Sequence, residues 1–194
     1  MNKLKKILVI ASHPDDEVLG CGGTLIKYSK MNYEIKVIFM TNGVSSRSKK
    51  KKNEISKRKK AAIKACKILG AQFPKFFNFK DNEMDSVPLL TIVKKIEREI
   101  NLFKPSIIFT HFDGDLNIDH EITSRATLTA CRPTVNQSVK TLFMFYIPSS
   151  TEWSHIKKKK NFVPNWFEDI SKSDKAKKSA LNCYKMEMRR WPHP

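Results

Sequence analysis

His13-Pro14-Asp15-Asp16-Glu17 places a histidine and three acids directly behind an apolar run, Ile7 to Ile10. A second stretch, "THFDGDLNIDHE" at residues 110–121, repeats that mixture behind "SIIF". Three of the five histidines in the chain fall in these two stretches. Neighbouring carboxylates repel one another unless a proton or a cation intervenes. A bound divalent metal removes the conflict and gathers His and Asp into one shell. Two imidazoles and one carboxylate suit zinc with an open position for water. A further carboxylate beside the metal, not bound to it, could take the proton of that water. Such a set hydrolyses an amide or an ester. Taken alone, an Asp after a strand is often just a helix N-cap, and a lone histidine is usually a packed or surface side chain.

The elements that must hold these residues follow from the apolar pattern. "KILVIAS" and "YEIKVIFMT" read as buried strands, the second closed by Asn42-Gly43. "PKFFNF", "SIIFTHF" and "KTLFMFYI" read as further strands. Between them, "DEVLGCGGTLIKYSKM", "NEISKRKKAAIKACKILG", "LLTIVKKIEREINLF" and "HEITSRATLTAC" read as helices. In the second helix Ile55, Ala62, Cys66 and Leu69 form the apolar face, and Gly70 can close it with a left-handed cap. In the third, Leu89, Ile92, Val93, Ile96 and Ile100 recur at helical spacing. From Pro148 onward the chain reads as irregular. Strands separated by helices predict an α/β, Rossmann-like, three-layer fold with a mainly parallel sheet, built as one domain over residues 1–194. Ligands of such sheets bind beyond the carboxyl ends of the strands, where both acid-rich stretches fall.

Lys and Arg number 37 against 19 acids, a net charge of +18. Such an excess raises nucleic acid or another anion as a partner. The excess is mostly lysine, and no aromatic residue interleaves the run "SRSKKKKNEISKRKK", so no stacking platform for bases is visible. That run reads as a loop followed by the wet face of a helix, "IKKKKNF" reads as a second exposed loop, and no nucleic-acid partner is expected. An anionic small substrate could still draw on the lysines. No apolar run approaches the ~20 residues of a membrane span. Four cysteines with no CxxC spacing read as reduced thiols of a cytoplasmic protein. "GCGG" is not a dinucleotide loop, because the strand leads into HPDDE rather than glycine. Its glycines could admit substrate or a neighbouring backbone at close range.

"SHPDDEVLGCGGTL" together with "NIDH" resembles the PIG-L/LmbE family of zinc-dependent de-N-acetylases, from about Lys5 to about Ala130. "VPNWF" and "MEMRRWPHP" resemble later segments of a bacterial subgroup, and the family would continue beyond "WPHP". The resemblance implies a Rossmann-like fold and removal of an acetyl group from an N-acetylated amino sugar or sugar conjugate. It implies one Zn2+ per chain held by His13, Asp16 and His120, with Asp15 as general base. It also implies substrate contacts from Arg58 and Asp81. The alternatives are a zinc amidohydrolase acting on another acylated metabolite and a basic nucleic-acid-binding module.

One departure touches the chemistry. The family's second motif is often H-P-D-H, and Asn117 stands at its first histidine. An amide donates a hydrogen bond but delivers no proton at neutral pH, so Asn117 can orient substrate or brace an oxyanion. His111 and His193 remain as proton donors to the leaving amine. His111 ends the strand that feeds the second motif. His193 is favoured, because Trp191 and the prolines would stiffen the tail that carries it.

Overall fold

A computed structural model describes residues 5–46, 51–154 and 161–188. Five strands, β1 (Lys6–Ala11), β2 (Glu34–Thr41), β3 (Lys75–Phe79), β4 (Ile107–His111) and β5 (Thr141–Phe145), form one sheet. Their order is β3-β2-β1-β4-β5 and every pairing is parallel. The helices α1 (Asp16–Lys30), α2 (Lys51–Leu69), α3 (Leu89–Phe103), α4 (Ile118–Ala130) and α5 (Asp174–Leu181) cover its faces.

β1 lies in the middle because its residues are apolar in both directions, as a strand buried on two faces requires. Ile7, Val9 and Ala11 pack with Val18, Leu25, Ala62, Cys66 and Leu69 on the face of α1, α2 and α5. Leu8 and Ile10 pack with Ile92, Ile96, Ile100 and Ala126 on the face of α3 and α4. The expected apolar stripe of α3 is the one that is buried. Gly70 ends α2 at φ 73°, and the Ala71 N–H returns to the Cys66 carbonyl at 2.9 Å.

The strand order reverses direction between β1 and β4, which is where such sheets open a crevice. Ile7 to Ile10 pair in register with Ile107 to Thr110. This pairing brings the two acid-rich stretches, roughly a hundred residues apart in sequence, to the same sheet end.

Two expectations change. The region after Pro148 contains a helix, α5, followed by a tight turn of 3₁₀ helix at Asn182–Tyr184. Its apolar stripe is only Ala176, Ala180 and Leu181, too short to signal a helix, and docking on the α1/α2 face supplies the stability. The "GCGG" glycines lie inside α1, and what approaches them is side chains. A Cβ on Gly20 would overlap the Phe145 ring, and one on Gly23 would stand 2.7 Å from Ile170.

Gly20→Ala therefore sets ~1 kcal/mol of gained helix propensity against ~1–3 kcal/mol of overpacking beside a buried ring. The expected net effect is a fall in Tm of a few degrees, about 2–4 °C per kcal/mol lost at this size. Thermal unfolding checks it; an unchanged or raised Tm would mean the Phe145 ring yields freely.

Candidate active site

β1 delivers His13 and the first turn of α1 delivers Asp16, while Asn117 caps α4 and so aims His120. The Asn117 side-chain oxygen accepts from the Asp119 N–H at 2.9 Å and the His120 N–H at 3.3 Å. His13 Nδ1 lies 3.1 Å from His120 Nε2. Asp16 Oδ2 is 3.3 Å from each of these nitrogens. Metal–ligand bonds of about 2.0–2.2 Å at a tetrahedral centre separate ligand atoms by about 3.3–3.6 Å. The three donor atoms are spaced close to that, all are buried, and they fit one divalent cation.

The nitrogens turned away from this triangle each meet a carboxylate. His13 Nε2 is 3.1 Å from Asp119 Oδ2 and 3.3 Å from Asp81 Oδ1. His120 Nδ1 is 3.2 Å from Asp115 Oδ1. A carboxylate behind a ligating histidine holds the proton on the far nitrogen and keeps the near one free for the metal. Asp119 is itself fixed by the N–H groups of Asn82 at 2.7 Å and Met84 at 3.2 Å. Asp115 accepts from Ser150, Thr151 and the Asn117 N–H. A second donor group, His13 with Asp81 and Asp119, shares the Nε2 atom. Asp119 is wholly buried and spent on the backbone, and only the first triangle has every member on the cavity wall.

The electrostatics agree. Burial lowers the affinity of His13 for a proton, and its contacts with Asp119, Asp16 and Asp81 more than reverse this. Burial likewise acts against a charged His120, and the Asp16 charge outweighs it. Burial would raise the Asp16 carboxyl, but His120 and His111 hold it well below the usual range. The pocket thus stabilises positive charge at its centre, as a cation site must.

Asp15 caps α1 at φ 132°, ψ −28°, a conformation a non-glycine residue adopts only under constraint. Its N–H donates to Glu17 Oε2 at 2.9 Å, and Glu17 Oε1 accepts from the Tyr184 hydroxyl at 2.6 Å. Arg58 Nη2 lies 3.0 Å from Asp15 Oδ2. Burial pushes the Asp15 carboxyl up to about 6, with Arg58 pulling down and Asp16 pushing up. Burial also raises Glu17, to about 8, against the pull of its Tyr184 hydrogen bond.

A cavity of about 390 Å³ opens over this set, lined by His13, Asp15, Asp16, Asp81, Asn117 and His120 among others. Several sequence expectations are refined by it. Arg58 reaches the cavity, but it is buried and committed to Asp15, to Glu187 at 2.7 Å and to the carbonyls of Pro14 and Gly43, so it serves the base rather than standing free for substrate. Asp81 faces the cavity beside His13; burial would raise it, but hydrogen bonds from His13 and Ser46 hold it well below the usual range. Asn117 lines the cavity with its amide nitrogen 3.3 Å from Asn82 Oδ1. His111 does not face the cleft. It is fully buried, stacks on His120 with ring centroids 3.9 Å apart, and its Nε2 accepts from the Ser12 N–H at 2.8 Å. Burial first, then the nearby His120, depresses its proton affinity, so it is unsuited to donate a proton. His193 lies outside the described residues, as do Lys49, Lys50 and most of "IKKKKNF".

Asp115, Asp119, Tyr184 and Glu187 were not singled out by sequence. The first two stand within the second acid-rich stretch, and the rule that a ligating histidine needs a carboxylate behind it could have found them. Tyr184 carries no local signal, and Glu187 stands in "MEMRRWPHP", a stretch whose resemblance assigned it no role.

The Arg58–Asp15 pair yields a pH expectation. A general base works deprotonated, so activity falls as pH drops through its pKa. Arg58 holds that pKa down, and Arg58→Gln should raise it. The acid limb of the kcat/KM profile then moves to higher pH by about one pH unit or more, while Arg58→Lys holds it nearer the wild-type position. An acid limb that stays in place in Arg58→Gln would assign the base elsewhere.

A family profile described as PIG-L: GlcNAc-PI de-N-acetylase matches residues 8–131, a span that includes both acid-rich stretches. The "Uncharacterized deacetylase YaiS" of Escherichia coli (strain K12) is 29% identical over 176 residues, covering 87% of this chain and 84% of that protein. The "Probable N-acetyl-alpha-D-glucosaminyl L-malate deacetylase 2" of Bacillus anthracis is 23% identical over 185 residues, covering 88% and 80%. Among solved structures, the conserved protein TT1542 from Thermus thermophilus superposes with a TM-score of 0.75 at 25% identity, covering 92% of this chain and 78% of that one. With the profile spanning most of the sheet and every residue of the donor triangle, the chain belongs to the PIG-L: GlcNAc-PI de-N-acetylase family.

Proposed function

We propose that this protein is a zinc-dependent hydrolase that removes the acetyl group from an N-acetylated amino sugar or sugar conjugate. The observation that carries the reading is the buried triangle of His13 Nδ1, His120 Nε2 and Asp16 Oδ2, open to a cavity whose wall also holds Asp15. Two imidazoles and a carboxylate are a common donor set of hydrolytic zinc. The relatives named as deacetylases support the choice of bond. Bound there, zinc supplies a Lewis acid and a water that ionises near neutral pH.

The chain's own residues do the rest. Asp119 and Asp115 fix the tautomers of His13 and His120, so that Nδ1 and Nε2 face the shared point without protons. Asp15 takes the proton of the attacking water, held in place by Arg58 below it and by Glu17 on its backbone. In this reading the Asn117 amide, on the cavity wall, donates to the carbonyl oxygen as it gains charge. As the carbon–nitrogen bond breaks, a proton must reach the leaving amine. His13, Asp16 and His120 are engaged as donors, and Asp15, protonated by the first step and already beside the reacting carbon, returns it. The products are acetate and a free amine. Asp81, Asn82 and Ser149 line the same wall and offer hydrogen-bond partners to sugar hydroxyls.

Among the described residues no helix is long and apolar enough to cross a membrane. The cysteines are free, which supports a reducing compartment such as the cytoplasm. The test is acetate release from a panel of N-acetylglucosamine glycosides and N-acetyl amino acids, with zinc content measured on the same sample. Release from the sugars at about one zinc per chain is expected; release from the amino acids alone would overturn the substrate class.

A further inference from the structure

Beyond Leu19 lies a second hollow that the proposed chemistry does not use, a cleft of about 420 Å³ running along α1. Leu19 lines both it and the catalytic cavity. The segment after β5 also passes between them: Tyr146 and Pro148 border the cleft, and Ser149 and Ser150 the cavity. The two spaces are therefore neighbours that share walls.

The cleft differs from the cavity in chemistry. Phe109, Phe143, Phe145, Tyr146, Phe162 and Trp166 bring six aromatic rings to its lining, and on the α1 side Phe145 and Ile170 pack directly on Gly20 and Gly23. Among the described residues its charged members are Glu168 and Lys177, and both are engaged within the protein. Glu168 pairs with Lys27 and accepts from the Tyr28 hydroxyl at 2.7 Å and the Trp166 indole at 3.2 Å. Lys177 donates to the Leu19 carbonyl at 3.1 Å. These two residues therefore ask for no counter-charge from a ligand. The Glu168 contacts also fix residues 166–168 to α1, so this wall of the cleft has a defined position. Trp166 stays 59% exposed even with its ring 5.3 Å from Phe143. The volume is that of an ordinary small-molecule site, for which a largely apolar, preformed hollow is typical.

We propose that this cleft binds the apolar part, an aryl or alkyl aglycone, of the N-acetyl sugar whose acetyl group enters the catalytic cavity. The inference rests on the deacetylase reading, and its test separates the two. Direct binding is measured by calorimetry on the zinc-loaded protein with phenyl β-glucoside and methyl β-glucoside, neither of which carries an acetyl group. Phenyl β-glucoside is expected to bind about tenfold tighter or better, and Trp166→Ala and Phe162→Ala to remove that preference. In turnover, phenyl and hexyl N-acetylglucosaminides should exceed the methyl glycoside in kcat/KM through KM, with kcat alike, and the two variants should leave the methyl glycoside unaffected. Equal affinity for both glucosides, or a preference that survives both substitutions, overturns the proposal. So does a dimer that Trp166→Ala dissociates, since a second copy would then occupy the cleft. Selective binding without acetate release from any glycoside would sustain the apolar site and sink the deacetylase reading it was attached to.

Discussion

In Asp15→Asn, kcat falls by about 10²-fold or more while the metal stays bound. Asparagine keeps the shape of the side chain and can still meet Arg58, so the substitution removes the proton acceptor and little else. The donor triangle does not include position 15, and zinc content should match wild type. Because the same carboxyl is assigned the return of the proton, no alkaline rescue is expected, which separates loss of the group from a shifted pKa. The measurement is kcat over pH 5–9 with metal analysis on each preparation. Near-normal kcat at full metal loading would move the role to another carboxylate. Glu17 cannot take it, being wholly buried and absent from the cavity wall, whereas Asp81 stands on that wall beside His13.

His120→Ala should lose the metal and with it all measurable turnover. His120 supplies one of the three donor atoms and is the sole donor from the second acid-rich stretch in that triangle. A ligand bound only by the folded state stabilises it by about 2.7 kcal/mol when present at a hundred times its Kd. Wild type should therefore drop in Tm on chelation and recover with zinc, and the variant should respond to neither. This difference of differences sets aside the separate cost of emptying a packed position, where His120 stacks on His111 and meets Asp115 and Ser150. Undiminished metal in His120→Ala would overturn the ligand set, and the alternative group of His13, Asp81 and Asp119 would then be the one to test.

The donor residues were legible in the sequence because their signal is local. His13, Asp15 and Asp16 follow an apolar strand without interruption, and His120 sits in an acid-rich stretch behind another. The alternation of strand and helix patterns likewise foretells a parallel three-layer sheet, since each helix shows its buried face in its own spacing. Only the pairing of β1 with β4 sets His13 against His120, 107 positions apart, at 3.1 Å. Which nitrogen of each ring faces the metal depends on carboxylates behind it, and those contacts have no period to read.

Arg58 shows the same division. Its place on the inner face of α2 follows from Ala62, Cys66 and Leu69 along that helix, yet its commitment to Asp15 and Glu187 is a matter of three segments meeting. His111 ends a strand next to the second motif and looks available by position. Stacking on His120 and a hydrogen bond from the Ser12 backbone bury it, because an inward-facing side chain at a strand end meets whatever the neighbouring strand presents. The stretch after Pro148 was opaque for a related reason: α5 has too short an apolar stripe to declare itself and exists by docking on α1 and α2. Residue type and local period carry the chemistry and the layers, while burial, tautomer and partner arise from long-range contacts, which only the folded chain brings together.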